Sequence, residues 1–124
     1  MFNFTNHRPR VVVDLPTGVF VCGVNSAVGK TYLAETFRKW SSIERVASCS
    51  FDTHVAAPTI LDNAKNDIVV LDRYDLWDTK YTEEIESFGK KGIVIIDSKE
   101  YSVECQAMMC TVQLDGPGSI LVRL

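Results

Sequence analysis

A chain of 124 residues, 46% hydrophobic and 23% charged, has the size and composition of one globular domain. Its formal net charge of −3 gives no general attraction to nucleic acid. No apolar run reaches the length of a membrane span, and the N-terminus, with Arg8 and Arg10 but no apolar segment behind them, is not expected to be a secretory signal.

Met1 to Pro9 is polar and expected to be loose. Val11 to Val13 is a short β-branched strand, Leu15-Pro16-Thr17-Gly18 a turn, and Val19 to Cys22 a second strand. The two strands either form a hairpin or leave Val11 to Val13 as an edge strand beside the main sheet.

The chain then reads Gly23-Val24-Asn25-Ser26-Ala27-Val28-Gly29-Lys30-Thr31, and a helix is expected from Lys30 to Trp40 on the spacing of Leu33, Ala34, Phe37 and Trp40. Strand, glycine-bearing loop, Gly-Lys-Thr and helix, in that order, are the parts of a phosphate-binding loop. The backbone N–H groups of Gly23, Asn25, Ser26, Ala27, Val28 and Gly29, with those of the helix start at Lys30, Thr31 and Tyr32, make an anion cradle. In that reading Gly29 lets the backbone turn tightly, Lys30 reaches the β/γ-phosphates and the Thr31 hydroxyl ligates Mg²⁺. The pattern G-x-x-x-x-G-K-[ST] sets its first glycine at position 24, which is Val24. Either the loop holds one extra residue, or Val24 takes that position with non-glycine dihedrals.

Arg45 to Phe51 is expected to be a strand and Pro58 to Ala64 a short helix with proline in its first turn. Ile68 to Leu71 is a continuous apolar run ending at Asp72, as buried parallel strands read. Thr82 to Lys91 is a helix, with Thr82 as its N-cap, Ile85 and Phe88 inward, acids in the first turn, lysines in the last and Gly92 closing it. Ile93 to Ile96 is another apolar strand ending in an acid, Asp97. Met108 to Leu114 and Ser119 to Leu124, around Asp115-Gly116-Pro117-Gly118, read as a C-terminal β-hairpin at the sheet's end. Cys22, Cys49, Cys105 and Cys110 form no C-x-x-C pair and, with His7 and His54, lack zinc-site spacing, so reduced thiols in a cytoplasmic protein are expected.

These elements predict a single α/β domain, a three-layer sandwich with a mostly parallel sheet, with Gly23 to Thr31, Asp72 and Asp97 gathered at the carboxyl ends of the strands. From Val19 to Asp97 the chain resembles the P-loop NTPase superfamily. The Gly23 to Thr31 stretch is similar to its Walker A loop, and Ile68-Val69-Val70-Leu71-Asp72 to its Walker B strand. The resemblance implies ATP and Mg²⁺ as ligands, the metal held by Thr31 and Asp72, and an ATPase activity. Ile95-Ile96-Asp97-Ser98 resembles the strand that carries a polar sensor in AAA-like and RecA-like ATPases. Arg73 stands where many of those ATPases have a water-activating Glu, so Asp75 is the nearest candidate base and hydrolysis is expected to be slow.

Asp72-Arg73-Tyr74 is similar to the Asp-Arg-Tyr of thymidylate kinases, which makes a minimal nucleotide kinase an alternative. The guanine-reading [NT]-K-x-D motif is missing at Ser98-Lys99-Glu100-Tyr101. Tyr74 and Trp77 are candidates for stacking on a base or for anchoring their loop. An arginine finger from a neighbouring subunit has Arg45, Arg73 or Arg123 as sources, and a protein partner or self-assembly that completes the site is a further expectation. The rival from another class is a non-catalytic interaction module that has lost nucleotide binding.

Overall fold

The structure, a computed structural model, describes residues 1–22, 27–99, 103 and 105–124, with the backbone alone at 27 and 28. Its strands are β1 (Phe2–Phe4), β2 (Arg10–Asp14), β3 (Gly18–Cys22), β4 (Val46–Cys49), β5 (Ile68–Leu71), β6 (Ile93–Asp97), β7 (Met108–Leu114) and β8 (Ser119–Arg123). Its helices are α1 (Ala27–Trp40), α2 (Ala57–Ile60) and α3 (Thr82–Gly89), with turns of 3₁₀ helix at His54–Ala56 and Tyr74–Leu76.

Among the described residues the strands make one eight-stranded sheet in the order β1-β2-β8-β7-β3-β6-β5-β4. β7, β3, β6, β5 and β4 run parallel. β8 returns antiparallel on β7, β2 lies parallel to β8, and β1 closes the row antiparallel to β2.

The expected three-layer sandwich with a mostly parallel sheet is therefore corrected. The chain forms a mixed sheet, rich in strands and poor in helices, that curls as a half-barrel. The inner face shows why. Val11 and Val13 of β2, Cys110 and Val112 of β7, and Ile120 and Val122 of β8 join the same core as Ile68, Val70, Ile93 and Ile95, and all of them close on Leu33, Ala34, Phe37 and Trp40 of α1. One helix fills the concave side, and strand twist accumulated over the row lets the sheet wrap it. On the convex side α3 and the short helices cover β3 to β4 through Ala57, Tyr74, Trp77, Ile85 and Phe88. Beyond them β7 alternates, with Met109, Thr111 and Gln113 exposed.

Four local expectations are also corrected. Phe2–Phe4, expected to be loose, is a strand, because Phe4 packs its ring on Phe37 and Trp40 at centroid distances of 6.0 and 5.5 Å. β2 pairs with β8 and not with β3, so the β7–β8 hairpin lies inside the sheet and not at its end. The helix expected over Pro58 to Ala64 stops at Ile60, where Leu61 leaves helical dihedrals. The N-cap of α3 is Tyr81, and Thr82 is already helical.

β5 and β6 are continuous apolar runs because both their faces are covered: Ile68, Val70, Ile93 and Ile95 face α1, while Val69, Leu71, Val94 and Ile96 face α3. α3 lies close on β3 at Gly89, where a Cβ would sit 2.8 Å from Val19 Cγ2.

Candidate functional site

The site is a matter of register. Cys49 of β4 lies opposite Leu71 of β5, and Leu71 opposite Ile96 of β6. The next residues, Ser50, Asp72 and Asp97, therefore end three neighbouring parallel strands at one level. Alternation along each strand puts Asp72 on the side of Ile68 and Val70, and Asp97 on the side of Ile93 and Ile95. That is the concave side, which α1 enters, and Cys22 of β3 lies beside Asp97.

Lys30 in the first turns of α1 places its Nζ 3.2 Å from Asp97 Oδ1, with each of the two side chains 10% exposed. The Asp72 amide donates to the Cys49 carbonyl at 2.8 Å, and the Asp72 carbonyl accepts from Trp77 Nε1 at 3.0 Å. Its carboxylate accepts from Ser50 Oγ at 3.5 Å on Oδ2, while Oδ1 is buried and meets no donor. Loss of water pushes the Asp72 carboxyl up to about 6, helped by the neighbouring Asp97 carboxyl. Arg38 and Arg73 pull the other way, more weakly.

Asp75 sits in the turn after β5. It takes Arg73 Nη2 on Oδ2 at 3.2 Å and the Lys99 amide on Oδ1 at 3.3 Å, which ties the β5 turn to the end of β6. Burial works to raise Asp75, but the Arg73 hydrogen bond and the Lys99 amide outweigh it and hold the carboxyl below its ordinary value. Arg73, with φ 52°, is the one non-glycine residue in the left-handed region among the described residues. Strain of this kind costs about 1–3 kcal/mol and gathers at functional turns.

Gly23, Asn25 and Ser26, three members of the expected cradle, lie outside the described residues, as does Val24. Ala27 and Val28 open α1, so the helix begins three residues before the expected start at Lys30. Gly29 is then helical, which corrects its expected role as the residue of a tight turn. Lys30 is buried and Thr31, next to it, is exposed. Tyr32 packs on the concave core, and its carbonyl accepts from Thr36 Oγ1 at 2.7 Å. Tyr74 and Trp77 belong to the convex core. Arg45 sits at the amino end of β4, the end away from this group, bonded to Asp67 and to the carbonyls of Asn63 and Ala64.

Sequence reading gathered Asp97 with the Gly23–Thr31 stretch and Asp72 and offered it as a sensor, but missed it as the partner of Lys30; it missed Ser50 altogether. The Asp97 signal was there, since two apolar strands each ending in Asp imply neighbouring carboxylates once the strands pair. Ser50, inside Ser-Cys-Ser, carries no such signal.

Among the described residues no group of three or more His, Cys, Asp and Glu side chains gathers as a metal site. The residues nonetheless fit a hard divalent cation held mostly by waters: the carboxylates of Asp72 and Asp97, with Asp72 Oδ1 buried and without a donor, and the Ser50 hydroxyl. A cleft of about 320 Å³ between α3 and the start of β7, lined by Glu86 and Lys90 among others, lies at the amino end of β3, away from this group. Among the described residues no helix is long and apolar enough to cross a membrane. No known protein family, curated protein or solved structure matches the chain.

Proposed function

We propose that the chain binds a nucleoside triphosphate, ATP, together with Mg²⁺ at the carboxyl edge of β3, β6 and β5. The observation that carries this reading is the group formed by Lys30, Asp97 and Asp72. It sets an ammonium for the phosphates beside carboxylates for the metal, at the start of α1. Lys30 is assigned to the β/γ-phosphates and Asp72, with its undonated Oδ1, to the metal. Thr31 adds an exposed hydroxyl on the adjacent helical position. When bound, Mg²⁺ offsets phosphate charge.

Hydrolysis on this reading is slow. Phosphoryl transfer depends on positioning and charge, and a water needs a carboxylate to orient it. Asp75 is the nearest acid in sequence, and both of its oxygens are engaged by Arg73 and Lys99. A partner protein or a second copy that supplies the missing group is part of the proposal.

Isothermal titration with Mg-ATP beside Lys30→Ala, each checked for folding by circular dichroism, tests it. Micromolar binding that is lost in Lys30→Ala supports the reading. No heat from the folded wild-type chain overturns it. It then favours the second reading, an interaction module without nucleotide, to which the neutralisation of Lys30 by Asp97 already points.

A further inference from the structure

We infer that Asp97 is a positioning residue that latches Lys30, so that the site takes a triphosphate only together with a divalent cation. This inference rests on the reading above and concerns the order and selectivity of binding at the same site.

The Lys30–Asp97 pair is 3.2 Å long and nine-tenths shielded from water at both side chains. At that depth the attraction is screened far less than on the surface. An incoming phosphate must therefore compete with a carboxylate already in place. Asp72, which ends the neighbouring strand at the level of Asp97, adds a second carboxylate. The two carboxylates beside the ammonium oppose the charge of a bare polyanion at that spot. The buried Asp72 oxygen that meets no donor is the place where a cation is attracted first. With their charge offset, the carboxylates hold Lys30 less tightly, and its ammonium turns to the phosphates. The Lys30 stem needs only a rotamer change, since α1 fixes its backbone. No covalent step is involved.

The test titrates the full chain with ATP and with inorganic tripolyphosphate, in EDTA and in Mg²⁺, for wild type, Asp97→Asn and Asp72→Asn. Wild type is expected to bind ATP at least about tenfold more tightly with Mg²⁺ than in EDTA. Asp97→Asn keeps the side-chain shape and removes the charge that pairs with Lys30. It is expected to bind the metal-free anions about tenfold more tightly than wild type and to lose most of the Mg²⁺ enhancement. Asp72→Asn keeps the latch and gains much less.

Equal affinity of the wild-type chain for metal-free and Mg-ATP overturns the inference without any variant. So does an equal gain in both variants, which is a general charge effect and no latch. Mg-ATP binding by wild type with no gain in Asp97→Asn sinks the latch alone and leaves the nucleotide reading standing. No binding of either form by folded wild type removes both.

Discussion

Lys30 and Asp97 hold each other's charge inside the notch, so neither is neutral to remove alone. Lys30→Met leaves a buried carboxylate without its ammonium and is expected to cost about 3 kcal/mol in urea unfolding. Adding Asp97→Asn to Lys30→Met should recover most of that loss. A double variant as unstable as the single one would show that the pair is not the source of the effect. Asp75 gives a pH signature. Its carboxyl titrates below its ordinary 3.8 in the folded chain, so in acid the unfolded chain takes up the proton first. The stability it adds is complete above pH 3.8 and fades as pH falls through the lower, folded value. Unfolding of wild type and Asp75→Asn from pH 5 downward checks this: the gap between them should narrow below pH 4. At this scale the sequence was legible where chemistry is local. Lys30 and Asp72 stand out by their neighbours. The Lys30–Asp97 bond spans β3's whole crossover and is visible only when β6 is placed beside β3.

Elements form where their pattern finds a surface. The runs at β5 and β6 and the Leu33-Ala34-Phe37-Trp40 stripe of α1 are readable because each is buried on the faces its pattern implies. β1 is the opposite case. Three residues, Phe-Asn-Phe, carry too little pattern to stand out, and their strand depends on a contact 33 residues away, Phe4 on Phe37. Phe4→Ala is expected to lower stability by about 2 kcal/mol and to loosen β1 from β2. Denaturant titration with a backbone probe on Asn3 would measure both, and an unchanged midpoint would mean that β1 does not depend on α1. Gly89→Ala pushes a Cβ to within 2.8 Å of Val19 and is expected to cost about 1–3 kcal/mol as α3 lifts from β3; a Val19→Ala partner change should relieve part of it.

For the molecule as a whole, single strands such as β5 and β6 were readable, but the mixed, strand-rich sheet they join was not. Local pattern shows that Val11 to Val13 is a strand; it does not show that its partner is Ile120 to Val122. That one non-local pairing turns a layered sandwich into a sheet curled round a single helix. The same arrangement grades stability across the sheet. Amide exchange should be slowest in β3, β6 and β5, which have neighbours on both sides and cover on both faces, and fastest in β1 at the open edge. A β1 as protected as β3 would contradict this account. The strand order also sets a timetable. β3 stands between β6 and β7, and β2 needs β8, so every neighbour that secures these two strands, apart from β1, is made after residue 92. A chain emerging from the ribosome can close the β1–β2 and β4–β5 pairs early, but its central strand waits unpaired until the last quarter is synthesised. The half-made protein is therefore the form most exposed to wrong strand pairing, and the one a chaperone has most reason to hold.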